Sequence, residues 1–319
     1  MCGGLRWREH RNINIITIIM VIKIIDKNYP LLLKKISDAP KKLFYKGNWS
    51  AEIFTHCLAV VGTRRMTSYG KRICEELVSQ IAGAGITIVS GFMYGVDATA
   101  HKAALRAGGK TIAVMPCGID LIHPADQEDL YKEILANNGL ILSEYEGDSQ
   151  PLLWTYPKRN RIVAGLSQAA LVIEAGENSG SLITANFAKK YKRKLFAVPG
   201  PLTSEVAKGT NQLIKQGTQM VTSAQDVLDW YRENYKFSFG FTPHPVATGR
   251  GHPRHAENLQ FSLEFDLEQK ILEHLRREPA ELDILARTFA MSASELGSAL
   301  SLMQLSGIIS EEQGKFYAL

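Results

Sequence analysis

Four short segments of this chain carry the residue types that hold anions. "GTRRMTSYGKR" begins at Gly62 and places Thr63, Arg64 and Arg65 just ahead of an amphipathic run. "SGFMYGVDATAHKAAL" offers the small residues Ser90 and Gly91, followed by Gly95 and Asp97. "YPKRNRIVAGLS" gathers Lys158, Arg159, Asn160 and Arg161 behind Pro157, and "EAGENSGSLITA" supplies Ser179, Gly180, Ser181 and Thr184. Cations neutralise phosphate, while helix-start N–H groups and hydroxyls donate to it. Pro157 suits the first position of a helix, which would put the four residues after it in the first turn. Cations there oppose the helix dipole, so they make better sense facing phosphate than facing water.

Other chemistries lack their residues. Gly62 and Gly70-Lys71 are seven residues apart, whereas a Walker loop needs four and then Ser or Thr. No G-x-G-x-x-G, H-E-x-x-H or paired Cys-x-x-Cys occurs. Glu144 and Glu174 end apolar runs, and bracing an Arg is the role expected of them. These segments read as a binding site without a catalytic group, a cofactor or a metal.

The elements that must position these segments are legible as apolar runs. Buried parallel strands are expected at 58–62, 86–91, 111–116, 140–144, 170–175 and 195–200. Helices are expected at 68–83, 96–107, 126–137, 158–166, 181–193 and 209–217, and "TSAQDVLDWY" adds one more. The alternation predicts an α/β fold, a Rossmann-like doubly wound and mostly parallel sheet. It occupies residues 49–235, after an N-terminal entry segment at 1–48. Residues 236–263 lack periodicity and read as a linker. Residues 264–319 predict three helices and a hairpin, a small C-terminal winged-helix domain.

Charge divides along the same boundary. The 319 residues carry a net +5. Residues 266–319 hold five Lys/Arg and nine Asp/Glu, a net −4, which leaves +9 on the rest. A polyanion therefore belongs with the first domain. The third C-terminal helix, "SASELGSALSLMQLSG", has no Lys or Arg, so this domain is expected to bind protein rather than duplex DNA. The apolar run after Arg6, Arg8 and Arg11 imitates a secretion signal. It is too short to span a membrane and contains Lys23, so a cytoplasmic protein with no membrane partner is expected.

"VVGTRRMTSYG", "VSGFMYGVDATAHKAAL", "PCGIDLIHP", "YPKRNRIVAGLS", "VIEAGENSGSLITANFA", "FAVPG" and "GTNQLI" follow the order and spacing of the DprA/Smf family, which this chain resembles from about residue 26 to 230 and again in the winged helix. The resemblance implies a homodimeric protein that binds single-stranded DNA, protects incoming strands and helps load the RecA recombinase in natural transformation. It implies no enzyme activity and no cofactor. Carried over by motif, the DNA-binding positions are Arg64, Lys158, Arg159, Asn160, Arg161, Ser179, Gly180 and Ser181; Thr63, Arg65, Ser90, Gly91 and Thr184 are expected beside them from their residue types and places in the loops. Ile214 and Met220 match the dimer face, and the Lys-rich helix 181–193, with Lys189 and Lys190, is the surface expected to meet the recombinase. The chain departs from the pattern at Met93 and Tyr94, and at His123 and Gln127. The N-terminal helical domain of many members is missing or much reduced. Two other readings compete: a phosphoribohydrolase of the same superfamily, whose PGGxGTxxE acid has no counterpart in "EAGENSGSLITA", and a winged-helix scaffold or transcription protein.

Overall fold

The computed structural model describes residues 20–235 and, towards the C-terminus, residues 271–318 apart from 273, 276, 277, 290, 293–295, 298, 299, 302, 305–307 and 313. The linker expected at 236–263 lies outside the described residues. The chain divides into two compact units, Met1–Thr242 and Pro243–Leu319.

In the first unit, strands alternate with helices as the apolar runs require. The strands are β1 (Met20–Lys23), β2 (Lys42–Gly47), β3 (Cys57–Val61), β4 (Thr87–Ser90), β5 (Thr111–Gly118), β6 (Leu140–Tyr145), β7 (Ala169–Val172), β8 (Lys194–Ala197) and β9 (Gln219–Met220). The helices are α1 (Leu31–Lys34), α2 (Ser68–Gly83), α3 (Val96–Arg106), α4 (Glu128–Ala136), α5 (Thr155–Leu166), α6 (Gly180–Lys190), α7 (Lys208–Lys215) and α8 (Ala224–Tyr235). Their order in the sheet is β1-β2-β6-β5-β4-β3-β7-β8-β9. Every pairing from β6 to β9 is parallel. The entry segment adds two strands that were not expected individually: β1 pairs with β2, and β2 with β6, both antiparallel.

Strand β3 shows why the sheet is covered on both faces. Cys57, Ala59 and Val61 pack with Leu33 and Ile36 beside α1, with Ile162 and Val163 of α5 and with Ala185 of α6. Leu58 and Val60 pack with Leu77 and Val78 of α2, Ala100 of α3 and Tyr231 of α8. All five residues of the strand are buried, so its sequence is a continuous apolar run rather than an alternating one. Gly165 lets α5 approach α1 and the residues just after it, since a Cβ there would lie 2.7 Å from Leu33 Cδ1 and 3.0 Å from Ile36 Cδ1.

In the second unit, β10 (Ala280–Glu281), β11 (Ile309–Glu312) and β12 (Lys315–Ala318) form an antiparallel sheet in the order β10-β12-β11. Helix α9 (Leu282–Thr288) follows β10. Ile271, Leu275, Leu285, Leu296, Leu300, Met303 and Phe316 share its core. The hairpin turn passes through Gly314, whose φ of +78° favours glycine.

Tyr231 closes the first unit. Its hydroxyl donates to the Cys57 carbonyl at 2.6 Å in a fully buried position. Tyr231→Phe should remove one of two donors on that carbonyl, the Gln168 N–H remaining at 3.0 Å, and cost about 0.5–1.5 kcal/mol in urea unfolding. A change near zero would mean α8 is held by apolar packing alone.

Candidate nucleic-acid interface

From β3 the chain moves outward through β4, β5 and β6 on one side, then through β7, β8 and β9 on the other. The loops after β3 and β7 therefore part, and a crevice opens at the switch point. Its volume is about 430 Å³, and it is lined by Gly62, Thr63, Arg64, Arg65, Gly91, Tyr156, Arg159, Asn160, Ser179, Gly180, Ser181 and Thr184, among others. All four segments singled out in the sequence contribute to it, the second through Gly91, Met93 and Asp97.

The Thr63–Arg65 loop is held from two directions. Glu174, at the end of the strand run through β7, accepts from the Thr67 N–H at 2.8 Å and the Thr67 hydroxyl at 2.5 Å. Thr67 in turn caps α2 by accepting from the Gly70 N–H. The Glu174 carbonyl accepts from Thr63 N–H at 2.7 Å. Glu174 thus braces a helix cap, not an arginine as expected. From the other side, Gly95 (φ +71°) presses on the loop, where a Cβ would lie 2.7 Å from the Arg64 backbone. Arg64 itself is exposed, with its guanidinium 5.0 Å above the ring of Tyr156. The Tyr156 hydroxyl lies 2.8 Å from His123 Nε2.

The cationic cluster on α5 is dispersed rather than joined. The helix begins at Thr155, whose hydroxyl accepts from Leu152 N–H, and so Pro157 is its third residue. A helix has no internal partner for an N–H at that position either. Arg159 turns inward, only 5% exposed, and donates to the Val114 carbonyl of β5. Its guanidinium and the Asp97 carboxylate both lie beneath Gly91, where a Cβ would overlap both groups. Burial lowers the Arg159 pKa and raises that of Asp97, while the attraction between the two opposes both shifts. Arg161 is buried too, with Nη2 2.6 Å from Glu144 Oε1. Glu144 therefore does brace an arginine. Lys158 lies 3.5 Å from the other Glu144 oxygen and does not line the crevice. Asn160 Nδ2 donates to the Gly180 carbonyl at 3.2 Å, which ties α5 to the start of α6.

Ser179 caps α6, its Oγ 2.8 Å from Ser181 Oγ and accepting weakly from Ser181 N–H. Ser181 and Thr184 are buried at the crevice wall, while Gly180 is exposed and faces open space. Ser90 is a correction: fully buried, it donates to the Val60 carbonyl at 2.6 Å and binds β4 to β3 instead of facing the crevice. Of the cations expected at the site, Arg64, Arg65 and Arg159 line the crevice, and Lys158 and Arg161 do not.

Sequence reading missed Tyr156 as the ring beneath Arg64, Glu174 as a cap brace, and His101. His101 is fully buried, with Nε2 2.6 Å from the Gly91 carbonyl and Nδ1 2.6 Å from the Thr111 hydroxyl, which also reaches the Ile88 carbonyl. A carbonyl can only accept, so Nε2 carries the proton and fixes the Gly91 turn from below. The spacing Asp97-x-x-x-His101, one helical turn, was the available signal.

A doubly wound sheet with an anion-binding crevice at its switch point, followed by a small winged-helix unit, defines a class of Rossmann-type binding proteins. Residues 20–232 match the family described as DNA recombination-mediator protein A, and residues 256–315 match the DprA winged helix domain. The chain is 34% identical over 291 residues to protein Smf of Escherichia coli (strain K12), covering 91% of this chain and 75% of that protein. It is 43% identical over 205 residues to DNA processing protein DprA of Streptococcus pneumoniae (strain ATCC BAA-255 / R6), covering 64% and 72%. The X-ray structure of DprA from Streptococcus pneumoniae superposes with a TM-score of 0.63 at 40% identity, covering 69% of this chain and 75% of that one. DNA processing protein A from Helicobacter pylori, described for its single-stranded DNA binding mode, gives 0.61 at 35% identity, covering 68% and 97%. The chain belongs to the DprA/Smf family.

Burial pulls the His101 pKa down to about 4. An unfolded chain takes up that proton near 6.5, so the unfolded state binds more protons between about 6.5 and 4. The stability His101 contributes is thus complete above 6.5 and falls by up to about 1.4 kcal/mol per pH unit below it. Urea unfolding at pH 7 and pH 5 should show wild type losing about 1–2 kcal/mol more than His101→Gln. Equal losses would place the His101 proton uptake elsewhere.

Proposed function

We propose that this chain binds single-stranded DNA without sequence preference, protects it, and helps load a RecA-type recombinase in natural transformation and recombination. The observation that carries this reading is the switch-point crevice, where exposed Arg64 and Arg65, buried Arg159 and the capped start of α6 surround one cationic space. Phosphate contacts of this kind position a strand without reading its bases. The single-stranded DNA binding described for the Helicobacter pylori relative supports the same ligand.

Thr63, Arg64, Arg65, Gly180 and Ser181 are the direct phosphate contacts in this reading. Arg159 supplies fixed charge from the floor, while Ser90, Arg161 and Thr184 hold the walls. Lys158 stands at the rim, and Asn160 joins α5 to α6. The site is one of binding rather than turnover: among the described residues lining it, Asp97 is the single carboxylate, and it faces Arg159. No described helix is long and apolar enough to cross a membrane. The acidic winged helix serves a protein contact, because a net −4 surface would be repelled by duplex phosphates. Dimerisation uses Met220, exposed on edge strand β9, and the half-buried Ile214 of α7. Lys189 and Lys190, both exposed at the end of α6, face the recombinase.

Salt-dependent binding to single-stranded DNA tests the site. Each neutralised phosphate contributes about 0.7 to the log–log slope, and Arg64→Ala should weaken binding and remove roughly one such increment. A variant that binds like wild type would take the crevice out of DNA binding.

The dimer contact is tested by sedimentation at micromolar concentration. Wild type should run as a dimer and Met220→Glu as a monomer. A wild-type monomer, or a dimer that survives the substitution, would remove β9 from the interface.

A further inference from the structure

The first turn of α5 contributes to two depressions, not one. Tyr156, Pro157, Arg159 and Asn160 line the crevice. Lys158 instead lines a second depression of about 440 Å³ with Ala39, Lys41, Lys42, Glu144 and Tyr145. Trp154 borders it, 52% exposed and edge-on to Tyr145 with ring centroids 6.1 Å apart. Lys158 Nζ lies 5.4 Å from the Trp154 ring centre and 5.5 Å from that of Tyr145.

The charges here are available to a ligand. Glu144 is answered by buried Arg161, so Lys158 is not needed to neutralise it. Lys42 meets Glu146 at 3.4 Å in an exposed pair, which costs little to open. Lys41 is exposed beside it. The indoles of Trp49 and Trp230 pack against apolar clusters, whereas that of Trp154 is half exposed and belongs to none of them.

We propose that this depression is a second subsite for single-stranded nucleic acid, continuous with the crevice around the start of α5. Lys41 and Lys42 take phosphates, and the Trp154 face takes a base by stacking. Interleaved cations and rings are what a backbone-tracking, sequence-tolerant groove requires. The inference rests on the single-stranded DNA reading of the crevice and lengthens its footprint.

The test uses the full chain and two oligothymidylates measured by fluorescence anisotropy. One has about four nucleotides and the other about sixteen, the limits of the ~4–16 nucleotides that small single-strand-binding units occupy. Trp154→Ala should weaken the longer strand by about fivefold or more and leave the shorter one unchanged. Trp154→Phe, which keeps a ring, should recover most of that loss. The Lys41→Gln, Lys42→Gln double variant should flatten the salt slope for the long strand only, by about 1.4. Long-strand binding unaffected by both changes overturns the subsite while leaving the crevice reading intact. Equal weakening of both strands overturns it as well, because the effect would then be on the crevice. If wild type binds neither strand, the crevice reading fails and takes the subsite with it.

Discussion

A guanidinium with almost no access to water lies at the centre of this fold. Arg159 joins α5, which carries it, to β5 through the Val114 carbonyl, and it attracts the buried Asp97 of α3. Burying two charges is expensive, and it is tolerated only when attraction and hydrogen bonds replace the lost water. That requirement fixes where α5 can sit. The Gly91 turn must then pass directly over the pair, because no side chain fits above it. His101 locks the same turn from beneath through the Gly91 carbonyl. The floor of the crevice is therefore determined by an electrostatic constraint, and the loops above are built on it.

The same constraint gives the crevice its sign. Arg64 lies close enough to Arg159 to lower its pKa further, so the two cations repel each other across the opening. Asp97 offsets only one of them. An incoming anion would relieve that repulsion, and the loop holding Arg64 cannot swing away to do so. Glu174 anchors it through Thr63 and Thr67, and Gly95 packs against its backbone. Preorganised charge of this kind favours the ligand because little ordering remains to be done on binding.

Most of the sheet was legible in the sequence, since doubly buried strands such as "LAVV" and "LILS" read as apolar runs and the helices between them carry their own caps and periodicity. The hairpin of β1 and β2 was less so. "MVIK" sits in a longer isoleucine run, and "KLFYKG" begins and ends on polar or small residues, so neither has a distinct period. The site was legible as four segments but not as an arrangement. On an α-helix, neighbouring residues point about 100° apart, so three cations within four positions cannot share one target. Lys158 and Arg161, three positions apart, meet at Glu144, while Arg159 turns to the crevice. Pro157 also misplaced the start of α5, because the turn closed by Leu152 and Thr155 draws in two residues ahead of it.

Cations in this protein divide into those that build and those that bind, and only the structure separates them. Arg161 is paired with Glu144, and Arg159 is buried, bonded to the Val114 carbonyl and attracted to buried Asp97, so both are committed inside the protein. Arg64 and Arg65 are exposed and owe nothing to the core. The count of Lys and Arg in a basic motif therefore overstates the counterions that DNA can release, since a cation already neutralised inside the protein displaces none. It also misjudges which substitutions are informative. Removing a building cation disturbs the fold and the site together, whereas removing an exposed one subtracts a single contact from an otherwise unchanged surface.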